Sequence, residues 1–153
     1  SFYQNLKGLT TCPIDKTLFT SNNIIMDSKI VQPVPQSTVK HILIVEDDKD
    51  YRDVLTELLE VEGFKVHDAE NGEVAMDLLK NTDVDLVLLD LLMPQVDGFT
   101  FYNNMRNALK KNIPVIMLTN FATTVRPKGI ADFIIKSNTS LDDVLKKIKK
   151  ILA

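Results

Sequence analysis

Five residues stand where chemistry is possible. Glu46 and Asp47 follow one apolar run directly, Asp90 ends a second, Thr119 ends a third and Lys136 ends a fourth. Three carboxylates gathered at strand ends repel one another unless a cation sits between them. Hard oxygen donors with no Cys or His among them suit Mg²⁺ or an ion like it. Lys136 adds a positive charge without being a metal ligand, and Thr119 adds a hydroxyl donor. A metal, a cation and a donor around a nucleophile are the parts of phosphoryl transfer; a carboxylate nucleophile would give an aspartyl phosphate. Asp48, the third acid after the first run, reads as a helix N-cap rather than a ligand.

The elements that must carry these residues are legible from residue 41 onward. His41–Val45 is a short apolar, β-branched run that predicts a buried strand. A helix over 49–62 follows, with Tyr51, Val54, Leu55, Leu58 and Leu59 on one stripe and Gly63 as its stop. Phe64–Asp68 alternates and predicts a strand nearer the sheet edge. Asn71 caps a helix to about Lys80, with Val74, Ala75, Leu78 and Leu79 inward. Asp85–Asp90 is a buried strand, Asp97-Gly98 opens a helix over 98–110, and Pro114–Leu118 and Ala131–Ile135 are the fourth and fifth strands. Ser140, with Asp143 three residues on, caps a last helix. Its apolar face is Leu141, Val144, Leu145, Ile148, Ile151 and Leu152; its lysines 146, 147, 149 and 150 read as a solvated face.

Strands alternating with helices imply an α/β fold, a doubly wound parallel sheet covered by helices on both faces. Such sheets bind ligands at the carboxyl ends of their strands, which is where the five residues fall. Composition is consistent with this: 44% of the 153 residues are apolar and 25% charged. A net charge of −3 argues against a general nucleic-acid binder, and a single cysteine, Cys12, excludes an intrachain disulfide and a Cys-rich zinc site. No apolar run approaches the ~20 residues of a membrane span, so a cytoplasmic chain is expected. Residues 1–40 differ from the rest. They carry four Lys against two Asp, whereas 41–153 carry 14 basic against 19 acidic residues, and they end in a Pro33-Val34-Pro35 segment suited to a linker. A largely disordered N-terminal extension over 1–40 and a folded domain over 41–153 are expected.

Residues 41–153 resemble the receiver domain of bacterial two-component response regulators. The resemblance rests on four motifs in order: Ile42–Asp48; Asp85–Asp90 with Met93-Pro94 and Asp97-Gly98; Met117-Leu118-Thr119; and Asp132–Lys136. It implies a flavodoxin-like, five-stranded parallel sheet in the order 2-1-3-4-5. It implies Asp90 as phosphoacceptor, Asp47 as a direct Mg²⁺ ligand, Glu46 as a ligand through water, and Thr119 and Lys136 as partners of the phosphoryl group. Phe133 matches the family's aromatic switch position. The implied donor is the phosphohistidine of a sensor histidine kinase or phosphotransfer protein, and the implied output is a docking surface for a downstream protein. The chain stops at the last helix, so docking rather than an attached output domain is expected. The alternative is a pseudo-receiver, an interaction module that accepts no phosphate. A turnover phosphatase of the haloacid-dehalogenase kind is disfavoured, because Leu92 stands where a second Asp is wanted.

Four departures from the family bear on mechanism. Ser137 replaces the proline that commonly follows the lysine, so a trans bond and an altered lysine loop are expected. The stretch between Thr119 and Lys136 is short, and a fourth helix must fit in 120–128 ahead of Pro127 and Gly129, giving at most about two turns. Asn120 replaces a small residue beside the threonine. Leu92 and Phe121 stand at positions that in the family border the path of the hydrolytic water, and neither side chain can hydrogen-bond to a water.

Overall fold

The computed structural model describes residues 39–153 except 95, 111 and 122–127. In chain order the elements are β1 (His41–Val45), α1 (Lys49–Val61), β2 (Lys65–Ala69), α2 (Gly72–Asn81), β3 (Leu86–Asp90), α3 (Gly98–Leu109), β4 (Val115–Thr119), β5 (Asp132–Ile135) and α4 (Leu141–Leu152). The strands form one parallel sheet in the order β2-β1-β3-β4-β5. The expected N-terminal extension lies outside the described residues but for Val39 and Lys40, and so does most of the expected short fourth helix.

Side chains of a strand alternate between faces, so a strand buried on both sides must be apolar throughout. β1, β3 and β4 meet this requirement. Leu43, Val45, Val87, Leu89, Val115 and Met117 pack against α2 and α3 through Ala75, Leu79, Phe101 and Met105. Ile42, Ile44, Leu86, Leu88, Ile116 and Leu118 face α1 and α4 through Leu55, Leu59, Val144 and Ile148. β2 lies at the sheet edge, as its alternation predicted, and Lys65 and Asp68 are exposed.

The local signals that start and stop helices act as their chemistry requires. Asp48, Asn71, Asp97 and Ser140 are the N-caps, each accepting backbone N–H bonds from the first turn. Gly63 ends α1 with φ +87°, a left-handed value that suits glycine.

Some inward assignments do not hold. Val54 and Val74 are exposed, because the buried stripes of their helices centre on Leu55/Leu59 and Ala75/Leu79. Leu141 is exposed at the first turn of α4. On α1 the inward place goes instead to Arg52, which is in phase with Leu55 and Leu59. β3 begins one residue later than expected. The Asp85 carboxylate accepts from the His41 N–H at 2.8 Å and from Lys40 Nζ at 2.9 Å, tying the start of β1 to the residue before β3.

The histidines 41 and 67 meet across β1 and β2, with ring nitrogens 3.3 Å apart. Burial, then the neighbouring His41 and Lys65, hold the His67 imidazole below its ordinary value of 6.5, with Asp68 opposing. The unfolded chain therefore binds more protons in the window just below that value, and stability falls as pH drops through it. The urea midpoint is expected to fall further between about pH 7.5 and about pH 5.5 in the native chain than in His67→Gln, where that titration is absent. Equal falls in both would contradict this.

Candidate functional site

Parallel strands deliver their last residues to one edge of the sheet, and the register brings four of them together. Glu46 and Asp47 follow β1, Asp90 ends β3, Thr119 ends β4 and Lys136 follows β5. Glu46 is fully buried and Asp90 is 2% exposed, while Asp47 is open to solvent. One carboxylate oxygen from each of these three acids lies within 4.8 Å of the others.

Lys136 crosses this group. Its Nζ lies 2.8 Å from Glu46 Oε1, 2.6 Å from Glu46 Oε2 and 3.0 Å from Asp90 Oδ2. The described residues contain no cis peptide bond, and the lysine still reaches both acids across a Lys-Ser junction. Its ammonium also stands 5.0 Å from the centroid of the Tyr51 ring, a cation–π arrangement. A second contact orients Asp90: its Oδ1 accepts the Leu92 backbone N–H at 3.2 Å.

Burial dominates the electrostatics. It pushes the Glu46 carboxyl up to about 7, with Lys136 opposing and Asp90 reinforcing the rise. Burial also works against the charge on Lys136, but its bonds to Glu46 and Asp90 outweigh this and hold the ammonium above the usual lysine value. The Tyr51 phenol is raised, again chiefly by burial.

A cavity of about 450 Å³ opens over the acids, with Asp47, Asp90 and Lys136 on its floor side and Tyr51, Leu92 and Asn120 among its walls. Carboxylate oxygens alone, one of them reachable from solvent, fit a hard divalent cation such as Mg²⁺, which keeps several waters and takes few protein ligands. Glu46 is buried, the Lys136 side chain is 11% exposed, and Asp47 is the acid placed to meet an ion from outside.

The other assigned residues fall as follows. Thr119 is buried at the end of β4, but its hydroxyl is turned along the chain. It donates to the Phe121 carbonyl at 3.0 Å and accepts the Phe121 N–H at 3.1 Å. Phe133 is half-buried on β5, packed against the α2–α3 side of the core. Asp48 borders the cavity but spends its side chain on the Asp50 and Tyr51 N–H groups, as a cap does. Reading the sequence for chemistry passed over Arg52, which donates to the Glu46 carbonyl at 2.6 Å. Its signal was a charged residue in phase with the apolar stripe of α1.

A model of the response regulator receiver domain matches residues 42–149. The chain belongs to the response regulator receiver domain family. The response regulator SaeR of Staphylococcus aureus (strain USA300) is 40% identical over 79 residues, 52% of this chain and 34% of SaeR. The chain thus spans about a third of the length of the curated relatives it matches. Among solved structures, the response regulator TrrA of Thermotoga maritima, in complex with Mg(2+)-BeF, is 32% identical with a TM-score of 0.67. The match covers 74% of this chain and all 100% of TrrA. TrrA in complex with the histidine kinase ThkA matches at 31% identity and a TM-score of 0.66, covering 75% of this chain and 100% of that one. A CheY-like receiver domain from Methanospirillum hungatei JF-1 is 28% identical with a TM-score of 0.68, covering 75% and 94%.

As in the receiver motif Asp97-Gly98 noted above, a glycine opens α3. The reason is contact with the end of β3: a Cβ on Gly98 would collide with the Asp90 carbonyl oxygen and lie 3.0 Å from Leu91 Cα. Backbone cannot yield as a side-chain tip can. Gly98→Ala is expected to destabilise the domain by about 2 kcal/mol or more in chemical denaturation. A change below about 0.5 kcal/mol would contradict the close approach.

Proposed function

We propose that residues 41–153 work as a phosphoacceptor receiver, taking a phosphoryl group on Asp90 from a phosphohistidine donor, and that residues 1–40 are an extension preceding it. The observation that carries this reading is the convergence of three carboxylates within 4.8 Å, with Lys136 Nζ 3.0 Å from Asp90 Oδ2. The completeness of that set speaks against a pseudo-receiver. TrrA's complexes with Mg(2+)-BeF and with a histidine kinase support the choice of ion and donor.

In this reading Asp90 Oδ2 attacks the phosphorus as the P–N bond to the donor imidazole breaks, and the imidazole leaves with the electron pair. Asp47 and Asp90 would hold Mg²⁺ and Glu46 would assist through water. Bound there, the ion supplies charge neutralisation for the transferring group. Lys136 shifts from bridging two carboxylates to pairing with a phosphoryl oxygen. The Thr119 hydroxyl leaves the Phe121 carbonyl to donate to another phosphoryl oxygen. Phe133, on the neighbouring strand, is then the residue through which the change reaches a docking surface. The chain catalyses its own phosphorylation at most and turns over no further substrate. Its partners are a sensor histidine kinase or phosphotransfer protein and a downstream protein, with no direct nucleic-acid contact. In this reading its place of work is the cytoplasm.

Intact mass after incubation with a small acyl phosphate and Mg²⁺ tests this. The native chain is expected to gain about 80 Da, one phosphoryl group. Asp90→Asn and a sample treated with EDTA are expected to gain nothing. An equal gain in Asp90→Asn would move the acceptor elsewhere.

Leu92 lines the cavity, Phe121 lies two residues beyond Thr119, and both are exposed and offer a water no side-chain hydrogen bond. The phosphorylated form is accordingly expected to persist, losing its label over many minutes or longer without a phosphatase. Loss within seconds to a few minutes would contradict this.

A further inference from the structure

Arg52 is a buried charge that none of the proposed chemistry uses. Its relative exposure is 8%, although α1 is an outer helix with solvent on its far side. A charged residue accepts such a position only when it is paired and hydrogen-bonded. Its partners are specific. Nη1 donates to the Glu46 carbonyl oxygen at 2.6 Å and lies 3.4 Å from the Asp47 carbonyl oxygen. Nε lies 3.3 Å from Asp68 Oδ2, on the neighbouring strand β2.

The carbonyls it meets belong to the two acids that leave β1 at the sheet edge. Beyond Val45 the strand ladder is finished, and this turn has little regular pairing of its own. The Glu46 N–H bonds the Ala69 carbonyl at 3.1 Å, and Arg52 engages the Glu46 and Asp47 carbonyls. A guanidinium suits this work because its planar fork can face two carbonyls and a carboxylate at once; an ammonium is a single point donor. The exposed acid of the site, Asp47, is the one most dependent on this hold, since its own carboxylate makes no part of the Lys136 bridge.

We infer that Arg52, braced by Asp68, is a positioning residue that fixes the backbone of Glu46 and Asp47 and thereby sets the affinity of the acidic site for a divalent cation. It touches neither ion nor phosphoryl group and acts through the carbonyls. The inference rests on the receiver reading of the site above. Partners of metal ligands one shell out commonly change metal affinity by about 10- to 100-fold when removed.

The test is titration of the full chain with Mg²⁺, followed by ¹H–¹⁵N spectra, which report both folding and the dissociation constant. Arg52→Lys keeps a charge at the position, and Asp68→Ala alters only an exposed carboxylate on the brace. Both are therefore suited to remain folded should Arg52→Ala fail to fold. Arg52→Lys is expected to raise the dissociation constant about tenfold, and Asp68→Ala by a smaller factor in the same direction. In each folded variant the shift changes should centre on the amides of 46–48. Unchanged affinity, within about twofold, in folded Arg52→Lys would overturn the inference and leave Arg52 a stability residue alone. Failure of the native chain to bind Mg²⁺ would overturn the receiver reading of the site and this inference with it. Normal native binding with unaltered variants would overturn the inference only.

Discussion

Glu46 and Asp90 are both withdrawn from water, and their carboxylates stand close enough to repel. Lys136 answers both at once, from a strand end ninety residues away from Glu46 in sequence. Much of the site depends on that three-way contact. It allows two acids to be buried at the edge of the sheet, it brings the end of β5 to those of β1 and β3, and it leaves Asp47 as the acid that faces solvent. Removing one partner of such a buried group costs far more than the pair contributes, because the remaining charge stays desolvated. The same cost makes the site responsive: any group that competes for Lys136 must change the balance between Glu46 and Asp90.

The sheet is built to keep that contact in place. β1, β3 and β4 are buried on both faces, and the register sets Val45 opposite Leu89 and Leu118 opposite Asp90. Helices on both faces lock these strands, so the polar residues at their ends have little freedom to drift apart. Gly98 lets α3 start directly against the Asp90 peptide, and Asp97 caps the helix there. Packed backbone under the acids is the arrangement expected of a site that must hold its geometry.

Thr119 shows how such a change can begin. Its hydroxyl is held in a local turn with Phe121, away from the carboxylates. That turn is worth only a hydrogen bond or two, which is a modest barrier to a better acceptor. The turn explains where the hydroxyl of the threonine that ends β4 rests.

Most elements were legible in the sequence because their signals are local. Apolar β-branched runs, caps such as Asp48 and Ser140, and the stop at Gly63 depend on neighbours a few residues away, and each element among the described residues formed within a residue or two of its expected bounds. The site residues were legible for a related reason: in a parallel sheet every strand ends at the same edge, so the residue after each strand can be named without knowing a single distance. What tertiary structure alone decided was which of those residues touch. The burial that lifts Glu46 to about 7, the bridge formed by Lys136, the turned hydroxyl of Thr119 and the inward place of Arg52 all depend on packing between elements far apart in the chain. A helical stripe read by residue type puts Val54 inside and a charge outside. Only the presence of the Glu46 and Asp47 carbonyls after β1 and of Asp68 on β2 makes the buried arginine the more stable choice.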